Sequence, residues 1–242
     1  MRIPRIYQQG DLSPGLTIEL DRMASHHLSR VLRLRNDDPV IIFNGQGGEY
    51  LGSLHIEGKQ AAVNIREFND TSRESNLDIT LLQGISKGER MDISIQKAVE
   101  LGVRKIVPVV CQRTVVNLKD ERKDKKQQHW QGIIINACEQ SGRNFIPQLA
   151  PAVKLHELLG STIEGLKLTL DPEASTRLHD IKPPGNQITL LIGPEGGLTI
   201  EEIAQASASG FSGIQLGSRI LRTETAALVA LSVLQAKWGD LA

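Results

Sequence analysis

Aromatic residues are scarce in this 242-residue chain, where Phe, Tyr and Trp together make up 3%. So few rings argue against a nucleic-acid platform that works mainly by stacking bases on exposed aromatics. Cysteine is scarcer still, with only Cys111 and Cys138 and no metal-ligand spacing between them. Cys138 lies among Ile133, Ile134, Ile135 and Ala137, where a buried reduced thiol is the ordinary outcome. Net charge is absent as well, because 28 Lys and Arg balance 28 Asp and Glu. No overall basic field therefore announces a polyanionic partner. No apolar run approaches a membrane span, and MRIPRIYQQGDL lacks the apolar centre of a secretory signal. The expected compartment is the cytoplasm, with no membrane partner.

What the chain does have is a globular composition, 40% hydrophobic and 23% charged, and enough length for one large domain or two modest ones. Charge is unevenly spread. Between Gly84 and Trp130 there are 11 Lys and Arg against 6 Asp and Glu, and from Gln131 onward 8 against 11. One basic stretch on a neutral protein suits a polyanion bound to one face, although a solvated loop and helix face gives the same count.

Residues 1 to about 70 read as short strands between turns. Leu16–Leu20, Val40–Phe43, Tyr50–Ile56 and Ala61–Phe68 are apolar or alternating, and Asn44-Gly45, Gly47-Gly48 and Gly58 punctuate them. One helix, His26 to Leu34, interrupts a pattern that belongs to a small barrel. The polar stretch Asn69–Asn76 reads as a linker into a second domain over 77–242. There, strands and helices alternate. Leu77–Gln83, Lys105–Val110, Leu166–Leu170, Gln187–Ile192 and Ser212–Leu216 are the strand candidates. The helices are expected from Ser86, which forms a capping box with Glu89, to Leu101; over Glu121–Ser141; from Thr199, in a second box with Glu202; and over Thr223–Trp238. The class is α/β, a largely parallel sheet covered on both faces.

Two strand-to-helix loops carry the chemistry. The first is LLIGPEGG, Leu190–Gly197, placed where open α/β sheets bind ligands. Its glycines admit close backbone approach and Pro194 fixes the turn. A dinucleotide pyrophosphate would want free N–H groups and no negative charge, but Pro194 removes a donor and Glu195 adds a carboxylate. An adenosine-containing ligand that carries positive charge fits better, and S-adenosylmethionine is one. A tight turn without a ligand has the same composition. The second loop, Leu216–Ala226, reads LGSRILRTETA and sets Arg219 and Arg222 among Gly217, Ser218, Leu221 and Thr223. An ordinary exposed connection could look like this; two such loops in one sheet make coincidence the weaker account.

GPEGG followed by LGSRILRTETA resembles the signature of the SPOUT RNA methyltransferases. The chain is most similar to the bacterial family that methylates N3 of a uridine in 16S ribosomal RNA. ISKGERM at Ile85–Met91, QKAVELG at Gln96–Gly102 and ACEQSGR at Ala137–Arg143 extend the match over essentially the whole chain. The GPEGG loop alone is moderately specific; its combination with Glu139–Arg143 and the RTET run is highly so. Cys138 stands where the family would carry a small residue such as Ala. The resemblance implies a trefoil knot formed by the two loops, a homodimer, a PUA-like barrel at the N-terminus, S-adenosylmethionine as methyl donor with no metal, and 16S rRNA of the small ribosomal subunit as partner. The final helix is expected to be buried on more than one face, since AALVALSVLQA is apolar almost all round, either against a partner helix or entirely within one subunit.

Carried onto this sequence, Leu170, Ile192, Gly193, Pro194, Glu195, Gly196, Gly197, Leu216, Gly217, Ser218, Leu221, Arg222, Thr225 and Ala226 hold the cofactor, and Asp171 closes the pocket. Methyl transfer from a sulfonium is a displacement that needs two reactants in line. Uracil N3 is protonated at neutral pH, so a cation beside the ring and a base are wanted. Arg222 is the expected cation, and Glu224, Glu139 and Glu100 are the candidate bases. RNA contacts are expected from Arg2, Arg5, Arg30, Arg33 and Arg35 in the barrel and from Lys87, Arg90 and Arg143, each otherwise an ordinary surface residue or salt-bridge partner. Lys119–Lys126 is a charge-mixed helix start. His26 and His27 have no further ligand at metal spacing. Three alternatives stay open: a methyltransferase of the same fold acting on another RNA such as tRNA, or on a different nucleotide, separable by RNA mapping; a non-catalytic RNA-binding or assembly factor, which would bind no cofactor; and a nucleotide-dependent oxidoreductase, disfavoured by Pro194 and Glu195.

Overall fold

The computed structural model describes residues 3–115, 120–181 and 185–241, so that Arg2 and Lys119 lie outside the described residues. They form two compact units, Met1–Glu74 with Cys138–Ile146, and Ser75–Ala137 with Pro147–Ala242.

The first unit runs through β1 (Arg5–Tyr7), β2 (Thr17–Glu19), α1 (Arg22–His26), a π-helical turn over His27–Val31, β3 (Pro39–Phe43), β4 (Glu49–Glu57) and β5 (Gln60–Asn69). The strands lie in the order β1-β3-β4-β5-β2. β1 runs parallel to β3 and the other neighbours are antiparallel. Strand alternation sets the core: β5 buries Ala61, Val63 and Ile65 against Leu28, Val40, Ile42 and Leu54. The helix begins at Arg22, four residues ahead of the expected start. Its cap is Asp21, whose Oδ1 accepts the Ala24 N–H at 2.8 Å.

The second unit contains β6 (Asp78–Gly84), α2 (Glu89–Glu100), β7 (Lys105–Val110), most of α3 (Asp120–Ser141), β8 (Gln148–Leu149), β9 (Val153–Lys154), α4 (Leu155–Leu159), β10 (Leu166–Leu170), β11 (Gln187–Ile192), α5 (Ile200–Ala208), β12 (Ser212–Ile214) and α6 (Thr223–Trp238). The strand order is β12-β10-β11-β6-β7-β8, with β9 also against β7, and every pairing is parallel. Continuous apolar strands are what a sheet buried on both faces requires. On one face Leu82, Val107, Val109 and Leu191 pack with Leu155, Leu159, Ala206 and Phe211.

One expectation is corrected here. α2 is not opened by a Ser86–Glu89 box. Gly88, at φ +62°, is its N-cap, and that left-handed residue turns the Ser86 hydroxyl back to the Gly84 carbonyl at 3.4 Å. Within the chain, α6 is buried along one face. Thr223, Ala226, Ala227, Ala230, Leu231, Leu234 and Gln235 follow the helical repeat toward α2 and β11. Leu228 and Val233 stay 36% and 37% exposed on its other side. Gln235 fastens the helix, accepting from Ser75 Oγ at 2.7 Å and donating to the Leu101 carbonyl at 2.7 Å, which would otherwise be an orphan at the end of α2.

Candidate functional site

The carboxyl ends of β10, β11 and β12 open onto a cavity of about 380 Å³, within the range of small-molecule sites. It is walled by the two loops singled out from sequence. Leu170, Ile192, Gly193, Pro194, Glu195, Gly196, Gly197, Leu216, Gly217, Leu221 and Ala226 all line it. Ser218, Arg222 and Thr225 do not; they sit beside lining residues in the same loop and helix start. Asp171 lines it too, as expected, together with Arg113, Arg219, Ile220 and Thr223.

Each wall is held by neighbouring strand ends. The loop after β11 closes on itself through Gly197 N–H to the Pro194 carbonyl at 2.8 Å. Its helix is opened by the expected Thr199–Glu202 capping box. Glu202 is 3% exposed because its other oxygen accepts the Gln112 N–H at 2.7 Å, joining the loop after β7 to α5. Arg113 in that loop donates to the Gly196 carbonyl at 2.8 Å. The loop after β6 is joined through Glu195, whose Oε1 accepts the Lys87 N–H at 2.7 Å and Arg90 at 3.2 Å. Burial alone would raise the Glu195 pKa, but these donors outweigh it and hold the carboxyl below the usual carboxylate range. Part of the charge expected to face the ligand is therefore engaged in holding the loop.

Other expected site residues lie elsewhere. Glu100, on α2, is paired with Lys97 at 2.8 Å. Glu139 belongs to the first unit, where it accepts the Tyr7 N–H at 2.9 Å. Its burial, only partly offset by that bond and by Arg5, raises its pKa. Neither lines the cavity. Arg5 and Arg143 are not presented to a phosphate: both are buried, Arg5 against Glu49, Asn144 and the Arg143 carbonyl, Arg143 as a two-pronged partner of Glu74. Carboxylates distant in sequence arrive to neutralise them, which spacing alone does not reveal. Arg30, Arg33, Arg35 and Lys87 are exposed, and Arg90 is half-exposed in its pair with Glu195. Among the described residues no group of three or more His, Cys, Asp or Glu is arranged for a metal ion. No helix of the described residues is long and apolar enough to cross a membrane.

Sequence reading missed Gln83, Gln112 and Arg113. The last two follow β7 at the carboxyl edge of the sheet, and the rule that picked the other loops would have picked this one. Glu224, on the first turn of α6, has a buried Oε2 without a hydrogen-bond partner among the described residues. Arg222, its neighbour, is the N-cap of α6, exposed, with no capping bond from its side chain.

Comparison with known proteins fits this geometry. Residues 73–235 match the model of an RNA methyltransferase domain and residues 20–65 that of an RNA methyltransferase PUA domain. The ribosomal RNA small subunit methyltransferase E of Buchnera aphidicola is 38% identical over 99% of this chain and 98% of its own length. The protein of that name from Bacillus subtilis is 31% identical over 94% and 92%. Among solved structures, a Legionella pneumophila protein in complex with the bound cofactor SAM is 45% identical, with a TM-score of 0.95 over 100% of both chains. The methyltransferase E of Neisseria gonorrhoeae, bound to S-adenosyl methionine, is 41% identical with a TM-score of 0.92, again over 100% of both. With a PUA domain ahead of an α/β domain whose strand ends form the cavity, this chain belongs to the RNA methyltransferase family that includes the small-subunit methyltransferase E proteins.

Proposed function

We propose that the chain transfers a methyl group from S-adenosylmethionine to N3 of a uridine in 16S rRNA of the small ribosomal subunit. The observation that carries this is a two-loop cavity at the carboxyl edge of a parallel sheet, in a chain similar end to end to two proteins solved with that cofactor. The residues present fit it. Gly193, Gly196 and Gly197 admit close backbone approach, and Leu170, Ile192, Leu216 and Leu221 give apolar walls for a purine. Asp171, Arg113 and Arg219 supply charges of both signs for an amino-acid end. When bound, the cofactor supplies a methyl group already activated on a sulfonium.

The chain's own work is to align the base and free N3 of its proton. Arg222 is the cation assigned to the uracil oxygens, where it would favour the N3 anion. Glu224 is the assigned acceptor: its buried Oε2 lacks a donor, and an orphan acceptor is costly until something donates to it. The N3 proton passes to that carboxylate as the N3–carbon bond forms and the sulfur–carbon bond breaks. Glu139 and Glu100 take no part in this reading. The same reading takes the threading of the two cavity loops as the SPOUT trefoil knot.

RNA is held through exposed cations. Residues 22–35 of the first unit carry Arg22, Arg30, Arg33, Arg35, His26 and His27 with no acidic residue among them, and all six side chains are exposed. Lys87 adds a cation on the second unit. A second copy of the chain covers the open side of α6 at Leu228 and Val233, giving a homodimer that works in the cytoplasm. The test is transfer of tritiated methyl to small subunits and to naked ribosomal RNA from cells lacking the protein, with nucleoside mapping. N3-methyluridine at one small-subunit site is the expected product. Label only in tRNA would move the substrate, and absence of cofactor binding would favour a non-catalytic assembly factor.

A further inference from the structure

Gln83 follows Leu81 and Leu82 near the end of β6, yet it is 0% exposed, with Ile192 of β11 and Pro108 of β7 as its partners across the sheet. An aliphatic side chain would fill the place without the desolvation an amide suffers there. What the amide does is hold something. Its Nε2 donates to Thr223 Oγ1 at 3.0 Å and to the Gly84 carbonyl at 3.1 Å. An amide NH2 only donates, so the Thr223 oxygen must accept, and its single hydrogen goes onward to the Gly193 carbonyl at 2.7 Å. The bonds therefore run in one direction, from Gln83 through Thr223 to Gly193.

Gly193 opens one wall of the cavity, and Thr223, the first residue of α6, follows the loop that forms the other. One hydroxyl joins the two walls, and Gln83 sets its orientation from beneath. Gly84 completes the seat, because a β-carbon there would collide with the Gly193–Pro194 peptide. Gln83 Oε1 stays buried without a hydrogen-bond partner among the described residues, which argues against a residue kept for stability alone.

We infer that Gln83 is a positioning residue for cofactor binding, which acts through Thr223 to fix the spacing of the 193–197 and 216–222 loops. The inference rests on reading the cavity as the S-adenosylmethionine site. Gln83→Leu and Thr223→Val keep the volume and remove the bonds, whereas Thr223→Ser keeps the hydroxyl. Calorimetry should show S-adenosylmethionine binding weakened by about tenfold in the first two, the size of one lost buried hydrogen bond. Thr223→Ser should stay close to wild type, and the Michaelis constant for RNA should hardly move in any of the three. In cofactor-free protein, amide exchange over residues 193–198 should speed up in Gln83→Leu and Thr223→Val while the first unit is unchanged. Wild-type affinity in both variants, or Thr223→Ser as weak as Thr223→Val, would overturn the inference. If Gln83→Leu does not fold, the Thr223 pair decides alone. If wild type binds no S-adenosylmethionine, the cofactor reading fails, and the exchange measurement still decides whether Gln83 holds the loop.

Discussion

In the first unit Arg5, Glu49 and Arg143 are buried, the Glu74 side chain is 4% exposed, and each guanidinium meets a carboxylate. In the second, the arginines around the cavity, Arg113, Arg219 and Arg222, remain exposed, and the loops beside them are tied largely by bonds that start or end on the backbone. The difference teaches that an arginine's role is set by whether a carboxylate comes to it. Arg143 follows α3 in sequence, but it meets Glu74 in the first unit, where Arg73 also reaches the Gly142 carbonyl at 3.1 Å and Arg5 reaches the Arg143 carbonyl at 3.2 Å. Such charges fix geometry and are lost to ligands. Those left outside, Arg219 and Arg222 above all, are the ones the proposed function assigns to ligand and base.

The sharpest way to break this comparison is to remove one buried charge and one exposed charge of the same kind. Arg143→Met strands Glu74, whose side chain is 4% exposed, and should destabilise the protein by about 3–5 kcal/mol. Arg219→Met should change stability by less than about 0.5 kcal/mol, as exposed substitutions do. Urea unfolding of both variants gives the answer. Equal losses would mean that the buried cluster carries no special weight.

Next in size is the effect of Arg222. Arg222→Ala should reduce methyl transfer by about 100-fold or more, in the range of losing one preorganised charge-stabilising donor. Stability should be unaffected, because the side chain makes no capping bond. Single-turnover methylation with saturating cofactor isolates the step. Activity within tenfold of wild type would remove Arg222 from the mechanism.

These contrasts also mark what the sequence could tell. Period-two and continuous apolar runs placed β7, β10, β11 and α6 at their observed bounds, because each contributes a face or a whole strand to a core. Thr199 and Glu202 were legible as a cap since both partners lie within one turn. Glu202's second partner, Gln112, was not, for it comes from a different strand end 90 residues away. The strands β1, β8 and β9 are two or three residues long and have too little pattern to be seen. In the candidate site the glycine loop was visible and Gln83 was not. A lone glutamine after LDITLL reads as the polar end of a strand until the fold brings Thr223 over it.

A smaller effect tests whether Glu195 belongs with the structural charges or with the ligand-facing ones. Its pKa is held down by Lys87 N–H and Arg90 against the opposing effect of burial. A carboxyl with a lowered folded pKa contributes above its unfolded value and loses that contribution as pH falls through the folded one. Cofactor affinity of wild type should therefore hold from neutral pH through the ordinary carboxylate range and fall only below it. Glu195→Gln should bind more weakly at neutral pH, by about threefold to tenfold, with no such acid limb. Unchanged affinity would show that the tie to residues 87–90 does not shape the cavity.

The smallest expected effect has the opposite sign and concerns Glu139 in the first unit. Burial raises its pKa, more than the Tyr7 N–H and Arg5 lower it. A group with a raised folded pKa contributes most below its unfolded value, and the contribution disappears as pH rises through the folded one. Glu139→Gln keeps an oxygen for the Tyr7 N–H and removes the charge that burial opposes. Its stability relative to wild type should rise with pH across and above the ordinary carboxylate range, by less than about 1 kcal/mol. Methylation should be unchanged if the glutamate is structural. A fall in methyl transfer with stability preserved would return Glu139 to the candidate bases and undo the separation between the buried charges of the first unit and the exposed charges around the cavity.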